Sequence, residues 1–458
     1  MRDISALVAP RSIAVIGASS SPAKSGGVLF GNLASGGFKG PLYPINKTAP
    51  EIMGHRAYPT LGDVPQAVDL VYIVLPQAYV ADAVRQCAAA KARAACIITA
   101  GFSEASEKGR SDENALREIA RPSGLLLAGP NTIGMVNAEC GMMGSFVNFP
   151  RWEKGGISFF TQTGIFTGAV MLQVMSADTQ RLPVSKSIDV GNKIDVDETD
   201  FLEYIENDAA TKVVGLYIEN VREPARFLEV ARRVRTTKPI ILLKPGQTKE
   251  GERASAFHTG SIASDSKLLD EELRKCGIAR AEDEADFLNA LRALAMLPKP
   301  KGRRVGIATT SGALGVISSD LVARSGFSLA LFEPATLAAM RTILPDWLEP
   351  SNPFDFWIGI DVKGAQEAHE TGLTAVISDP NVDLVLCTLL APANADFAGF
   401  GALMKRLRKT YDKPVAVAIY GGGARARWVA ELEGAEVPVF NTTREAIRAL
   451  TLLADATL

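Results

Sequence analysis

From residue 12 onward the chain alternates short apolar runs with helix-like stretches, and this alternation restricts the fold more than any other feature. Ser12–Ile16, Gly40–Ile45, Leu70–Leu75, Ala95–Thr99 and Gly124–Ala128 each read as a buried strand bounded by Gly, Pro or polar residues. Strand–helix–strand repetition builds a parallel sheet with right-handed crossovers. Ligands of such sheets bind outside the carboxyl ends of the strands. The residues predicted there are Gly17, Ala18, Ser19, Ser20 and Ser21, then Asn46 and Lys47, then Pro76 and Gln77. Thr99, Ala100, Gly101 and Phe102 follow, and then Gly129, Pro130 and Asn131. The first turn, Gly17–Gly27, carries Lys24 and leads into a helix.

That turn is glycine-rich without being GxGxxG, so its dinucleotide signal is weak. After the second strand, NAD-binding sheets place an acid for the ribose hydroxyl. Here a cation, Lys47, stands there, suited to a ribose phosphate such as NADP and coenzyme A carry. A solvated surface lysine is the plain alternative. The 49 basic and 51 acidic residues are well mixed, which excludes a basic footprint for nucleic acid or an anionic membrane. The five cysteines are far apart with no CxxC spacing, which points to a reducing compartment and no zinc site. No apolar run approaches the roughly 18 residues that cross a bilayer. The first strand follows almost at once, so no signal peptide is expected. The chain reads as a cytoplasmic α/β protein.

At 458 residues roughly three domains are expected. The polar stretch Pro150–Gly156 marks a first boundary, and Leu297–Gly302, with two prolines and two lysines, marks a second. This divides the chain into 1–150, 151–297 and 303–458. The second unit has strands at Gly156–Phe160, Ser185–Val190, Val213–Ile218 and 239–243, and the third at Arg304–Ala308, Leu384–Leu390 and Pro414–Ile419. Both contain the same grammar. Thr161, Gln162, Thr163 and Gly164 leave a strand and open a helix, and so do Thr309, Thr310, Ser311 and Gly312. Each turn aims backbone N–H groups and the positive end of a helix dipole beyond its strand. Two such ends could hold one phosphoryl group from both sides. They could equally be ordinary N-caps, which Thr and Ser favour.

The strand at 239–243 leads into a polar segment, Lys244–Asp265, holding His258 between Phe257 and Thr259. The chain has three histidines, His55, His258 and His369. Only His258 sits in a Gly/Ser/Thr setting at a strand exit, where it could act as nucleophile or proton carrier. An exposed loop histidine is the alternative. As a nucleophile it needs an acceptor for its other ring nitrogen. Glu219, at the carboxyl end of a neighbouring strand, is the candidate, unless it merely caps a helix.

Taken together and in order, these motifs resemble the nucleoside-diphosphate-forming acyl-CoA synthetases, the superfamily of succinyl-CoA synthetase, over essentially the whole chain. The resemblance is to the α subunit of the ADP-forming acetyl-CoA synthetases. It rests on Gly17–Ser20, Tyr43–Lys47, Ile98–Glu104, Gly129–Asn131, Thr161–Gly164, Val190–Lys193 with Asp195 and Asp197, and Leu216–Glu219. Phe257–Gly260, Thr310–Gly312 and Asn352–Asp355 complete it. It implies a Rossmann-like CoA-binding domain followed by two flavodoxin-like parallel-sheet domains. It implies that CoA meets Gly17, Ala18, Ser19, Ser20, Lys24, Lys47, Pro76, Gln77, Thr99, Ala100, Gly101 and Asn131. It implies that His258 is phosphorylated with Glu219 in support, and that Thr161, Gln162, Thr163, Gly164, Thr310, Ser311 and Gly312 flank the phosphate. It also implies ATP or ADP with Mg2+ on a separate ATP-grasp β subunit, a small carboxylic acid as substrate, and a hetero-oligomer. No metal site is implied on this chain.

Some residues depart from the family pattern. Thr161 stands where serine is commoner, Ile165 and Phe166 where smaller residues are usual, and Thr132 where cysteine is frequent. Phe354, Phe356 and Trp357 follow Asn352 and Pro353. These changes lie near the expected acyl end and would fit a larger acid than acetate; core packing is the alternative. Two other functions are compatible with parts of the chain. An NADP-dependent oxidoreductase would use the first sheet but leave His258 and the paired helix ends without a role. A non-catalytic CoA-binding regulator would keep the scaffold alone.

Overall fold

The computed structural model describes residues 2–148, 152–170, 180–251, 253–254, 266–391 and 397–457. They form two compact units, one of residues 1–176 and 183–278, the other of 177–182 and 279–458.

The first unit holds two sheets. In the first lie β1 (Ile13–Ile16), β2 (Leu42–Ile45), β5 (Leu70–Ile73), β6 (Ala94–Ile97) and β7 (Leu126–Ala128), in the order β2-β1-β5-β6-β7 and all parallel. A hairpin, β3 (Glu51–Ile52) with β4 (His55–Arg56), stands apart from it. All five strands fall where the apolar runs predicted them. Each is short and nearly continuous in apolar residues because both faces are covered, which only a parallel sheet requires.

The second sheet contains a feature the sequence reading missed. β8 (Gly134–Asn137) and β9 (Met142–Ser145) precede residue 150 yet belong to it. With β10 (Lys154–Thr161), β11 (Val184–Asp189), β12 (Val213–Tyr217) and β13 (Ile240–Leu243) the order runs β13-β12-β10-β11-β8-β9. The strands β10 to β13 are parallel, but β8 runs antiparallel to β11 and β9 antiparallel to β8. The motif Gly-Met-Val-Asn has little β-branched or alternating character, so nothing local announced a strand. One buried cluster runs from Ile13, Val15 and Phe30 to Phe160, Ile188 and Leu216, so the two sheets share a core.

Local chemistry sets the helix starts. Ser106 Oγ accepts from Gly109 N to open the helix Glu107–Ala120, and Asp197 accepts from Thr199 N and Asp200 N to open Glu198–Glu206. The π-type segment Phe166–Val170 follows Gly164.

The second unit begins with β14 (Ala279–Ala281) and the helix Glu284–Met296. Its sheet contains β15 (Arg304–Thr309), β16 (Ser328–Leu329), β18 (Leu384–Leu390), β19 (Val415–Tyr420) and β20 (Val439–Phe440), ordered β16-β15-β18-β19-β20. A short strand, β17 (Phe354–Asp355), pairs with the end of β15. Period-two alternation puts Val385, Cys387 and Val417 into one core with Trp428, and Leu384, Leu386 and Ala416 into the other with Leu450. The chain is therefore an α/β protein of parallel-sheet layers. Among the described residues no helix is long and apolar enough to cross a membrane.

Candidate functional site

In the first sheet the chain leaves β1 toward β2 on one side and later returns to β5 on the other. The crevice outside the carboxyl ends of β1 and β5 is thus the switch point where such sheets bind ligands. Gly17 begins the turn there with φ +92°, and a Cβ on it would lie 2.1 Å from Val74 O beyond β5. A Cβ on Gly26 would lie 2.1 Å from Gly17 O, and one on Gly27 2.0 Å from Ser21 O. Backbone packs on backbone throughout the turn, which is why glycines occupy it. The helix Ser25–Ser35 starts after Lys24, and among the described residues no side chain caps its first turn.

Asn46 Nδ2 donates to Ala18 O at 2.9 Å, tying this turn to the end of β2 and leaving the next side chain, Lys47, exposed beside it. Thr99 Oγ1 donates to Leu75 O at 2.6 Å, and Gln77 Nε2 donates to Gly101 O at 2.7 Å. Asn131, at φ +60°, donates its backbone N–H to Thr99 O. The structure therefore brings the residues predicted for one ligand, Gly17 to Ser20, Lys47, Pro76, Gln77, Thr99 to Gly101 and Asn131, to one sheet edge. Lys24, Lys47, Pro76 and Ala100 are exposed along it.

The second edge is that of β10 and β12. Thr161 ends β10, fully buried, and its Oγ1 makes no hydrogen bond among the described residues. Gln162 turns its side chain back into the protein. Its Oε1 accepts from Glu219 N at 2.8 Å and Asn220 N at 3.3 Å, and its Nε2 donates to Asn220 Oδ1 at 3.3 Å. The side chain of Gln162 thus fixes the end of β12. Gly164 admits no side chain: a Cβ would meet Ile133 Cγ2 at 2.6 Å. Thr163 Oγ1 accepts from Ile165 N at 3.4 Å. Glu219, 8 % exposed, accepts from Tyr217 Oη at 3.3 Å. Burial and the neighbouring Glu219 carboxylate push the Tyr217 phenol up.

Behind this edge lies Lys193, a residue whose motif was noted but whose role was missed. Its Nζ donates to Glu198 Oε2 at 2.7 Å and Asn220 O at 2.8 Å, and stands 3.5 Å from Gln162 Oε1. Burial pushes the ammonium down and the Glu198 carboxyl up, and their mutual attraction opposes both shifts. A lysine in a Gly-Asn-Lys turn reads as solvated, so no signal short of the fold would reveal this pair.

In the second unit, Thr310 is also spent internally: its Oγ1 accepts from Leu390 N at 2.8 Å, and the residue is 1 % exposed. Ser311 caps the helix Gly312–Arg324 by backbone only, and Gly312 is exposed. A Cβ on Gly312 would lie 3.2 Å from Asp355 Oδ2. Burial pushes the Asp355 carboxyl up, against the bond it accepts from Trp357 N.

His258, with the Phe257–Gly260 motif, lies outside the described residues. The aromatic residues expected near an acyl group divide. Phe354 and Phe356 are buried in the core of the second unit, so packing explains them, while Trp357 is 40 % exposed. Thr132 is likewise internal, donating to Asp189 O at 2.7 Å.

Two sheet edges, one shaped by glycines and one holding a fixed carboxylate, are the frame of a CoA-dependent acyl-transfer protein. Residues 11–138 match the model of a CoA binding domain, and residues 154–294 that of a succinyl-CoA ligase like flavodoxin domain. The α subunit of acetate–CoA ligase (ADP-forming) II from Pyrococcus furiosus is 35 % identical over 391 residues, 85 % of this chain and 82 % of that protein. Acetate–CoA ligase (ADP-forming) II from Archaeoglobus fulgidus is 35 % identical over 421 residues, 92 % of this chain but 62 % of that longer protein. The solved dinucleotide-forming acetyl-coenzyme A synthetase 1 of Ca. Korarchaeum cryptofilum, in complex with phosphate and ADP, superposes with a TM-score of 0.90 at 31 % identity. That match covers 100 % of this chain and 97 % of the other. The chain belongs to the family of ADP-forming acetate–CoA ligase α subunits.

Proposed function

We propose that the chain is the α subunit of an ADP-forming acyl-CoA synthetase, working with a separate ATP-grasp β subunit. Inorganic phosphate attacks the thioester carbonyl of acyl-CoA, the C–S bond breaks, and CoA leaves as thiolate. The acyl phosphate then gives its phosphoryl group to a ring nitrogen of His258, and the carboxylate departs. The phosphohistidine passes the group to ADP on the partner, and every step is reversible. CoA lies along Gly17–Ser20, Lys24, Lys47, Pro76, Gln77, Thr99–Gly101 and Asn131, with Lys47 facing its ribose phosphate. A turn that excludes side chains at Gly17, Gly26 and Gly27 suits the close approach of a pyrophosphate.

Glu219 orients the imidazole and stabilises its charged form. The turn Thr163–Gly164, opening the helical segment after β10, supplies backbone donors to the phosphoryl group. Nucleotide and Mg2+ belong to the partner. The substrate is a small carboxylic acid.

The observation that carries this reading is Glu219. It is buried, held in place by Gln162, and sits one strand from β13, whose exit leads to the His258 segment. The test is competition at the first edge. CoA should shift the melting temperature of the chain and NADP should not. The opposite pattern would replace the ligase with an oxidoreductase.

A further inference from the structure

The turn after β11 touches both edges. Asp189 ends β11 fully buried, and burial pushes its carboxyl up to about 6. It accepts from Thr132 Oγ1 at 2.9 Å, Ile133 N at 2.8 Å and Gly191 N at 3.1 Å. Gly191 follows at φ +50°, where a Cβ would lie 2.2 Å from Pro130 O and 2.3 Å from Asn131 O. Lys193 is left-handed too, at φ +58°. The backbone is thus pressed onto the Gly129–Asn131 loop, and its next two side chains leave in different directions.

Asn192 reaches the first edge. Its Nδ2 lies within hydrogen-bond distance of Glu104 Oε2 (2.6 Å), Glu113 Oε2 (3.0 Å) and Ser103 Oγ (3.1 Å). Its Oδ1 accepts from Asn131 Nδ2 at 3.3 Å. Glu104 in turn accepts from Gly101 N at 2.5 Å and Phe102 N at 3.1 Å. The Asn192 amide thus braces, from the other sheet, the carboxylate that holds the Thr99–Glu104 loop, beside the bonds from Gln77 and Asn131. Lys193 reaches the second edge, where it braces Asn220 O and Gln162 Oε1, and Gln162 holds the Glu219 backbone.

We propose that Asn192 and Lys193 are positioning residues for separate halves of the reaction: Asn192 sets the Thr99–Glu104 loop against CoA, and Lys193 sets Glu219 for the phosphoryl step. This rests on the proposed function above. A non-Gly left-handed residue and a desolvated ammonium are both costly, and both recur only where surrounding structure enforces them.

The experiment uses the full chain with its ATP-grasp partner and reads two quantities: the rate at which labelled ATP phosphorylates His258, and the KM for CoA. Asn192→Ala should raise the CoA KM on the order of tenfold and leave the labelling rate within about twofold. Lys193→Met should slow labelling on the order of tenfold and leave the CoA KM within about twofold. Should Lys193→Met not fold, Gln162→Ala tests the same arm. Variants that depress both quantities together would overturn the proposal, because a turn that merely stabilises the unit predicts that result. Variants that leave both unchanged overturn it as well. Wild-type protein that takes no label at all removes the functional reading and this inference with it, whereas labelled wild type with unsplit variants removes this inference alone.

Discussion

Lys47 owes its position to Asn46. The Asn46 amide bonds Ala18 O, and its Oδ1 accepts from the backbone of Thr48 and Ala49, so the residue between them must project from the sheet edge. If that cation meets the ribose phosphate of CoA, reversing its charge discriminates between CoA and dephospho-CoA. We expect Lys47→Glu to weaken CoA about tenfold and dephospho-CoA hardly at all, measured by calorimetric titration. Equal weakening of both ligands would deny Lys47 that contact. The exposed position of Lys47 was legible in the sequence because its place after the second strand is fixed by topology. The side chains of Gln162, Thr310 and Lys193 were not. Their neighbours in space, Glu219, Leu390 and Glu198, are set by the approach of strand ends, which residue spacing does not encode.

Elements divide in the same way. Strands β1, β5, β6, β10, β12 and β18 were each signalled by a compact apolar run, because strands covered on both faces must be apolar throughout. The pair β8 and β9 was not, being short and antiparallel at the rim of a sheet whose other strands lie further along the chain. The turn after β1 carries a direct test. Gly17→Ala puts a Cβ 2.1 Å from Val74 O in a left-handed conformation. We expect a loss of roughly 2 kcal/mol or more in stability and abolition of CoA binding, measured by chemical denaturation and titration.

The helix Ala365–Ser378 carries another test. His369 is packed among Phe356, Phe397, Phe400 and Trp428, its Nδ1 donating to Ala365 O at 2.8 Å. Burial pushes its imidazole down from 6.5 to about 4. The folded state therefore binds fewer protons than the unfolded state between these values. The stability involved is complete above about pH 6.5 and is lost as pH falls through about 4, roughly 3 kcal/mol over the range. His369→Leu should flatten the pH dependence of the unfolding free energy between pH 4 and 6.5 relative to wild type. Parallel curves would show that the ring is not desolvated as described.

At the scale of the whole molecule, the account divides labour between this chain and a partner. Under the proposed function, CoA is met at the first edge, phosphate at the second, and nucleotide on the partner. We expect the chain alone to bind CoA but not to make ATP from acyl-CoA, phosphate and ADP. Addition of an ATP-grasp subunit should restore turnover. The α/β architecture and the order of motifs were readable from the start because strand–helix alternation and glycine turns are local signals. The role of the Gly191–Lys193 turn was hidden because it exists only once two sheets of one unit are in contact. Everything converges on a single imidazole. The most direct measurement is site-mapped, acid-labile phosphorylation after incubating the complete α–β enzyme with labelled ATP and Mg2+. The account requires label at His258, lost in His258→Ala while CoA still binds. Turnover with no label at that position, or undiminished turnover by His258→Ala, would contradict it.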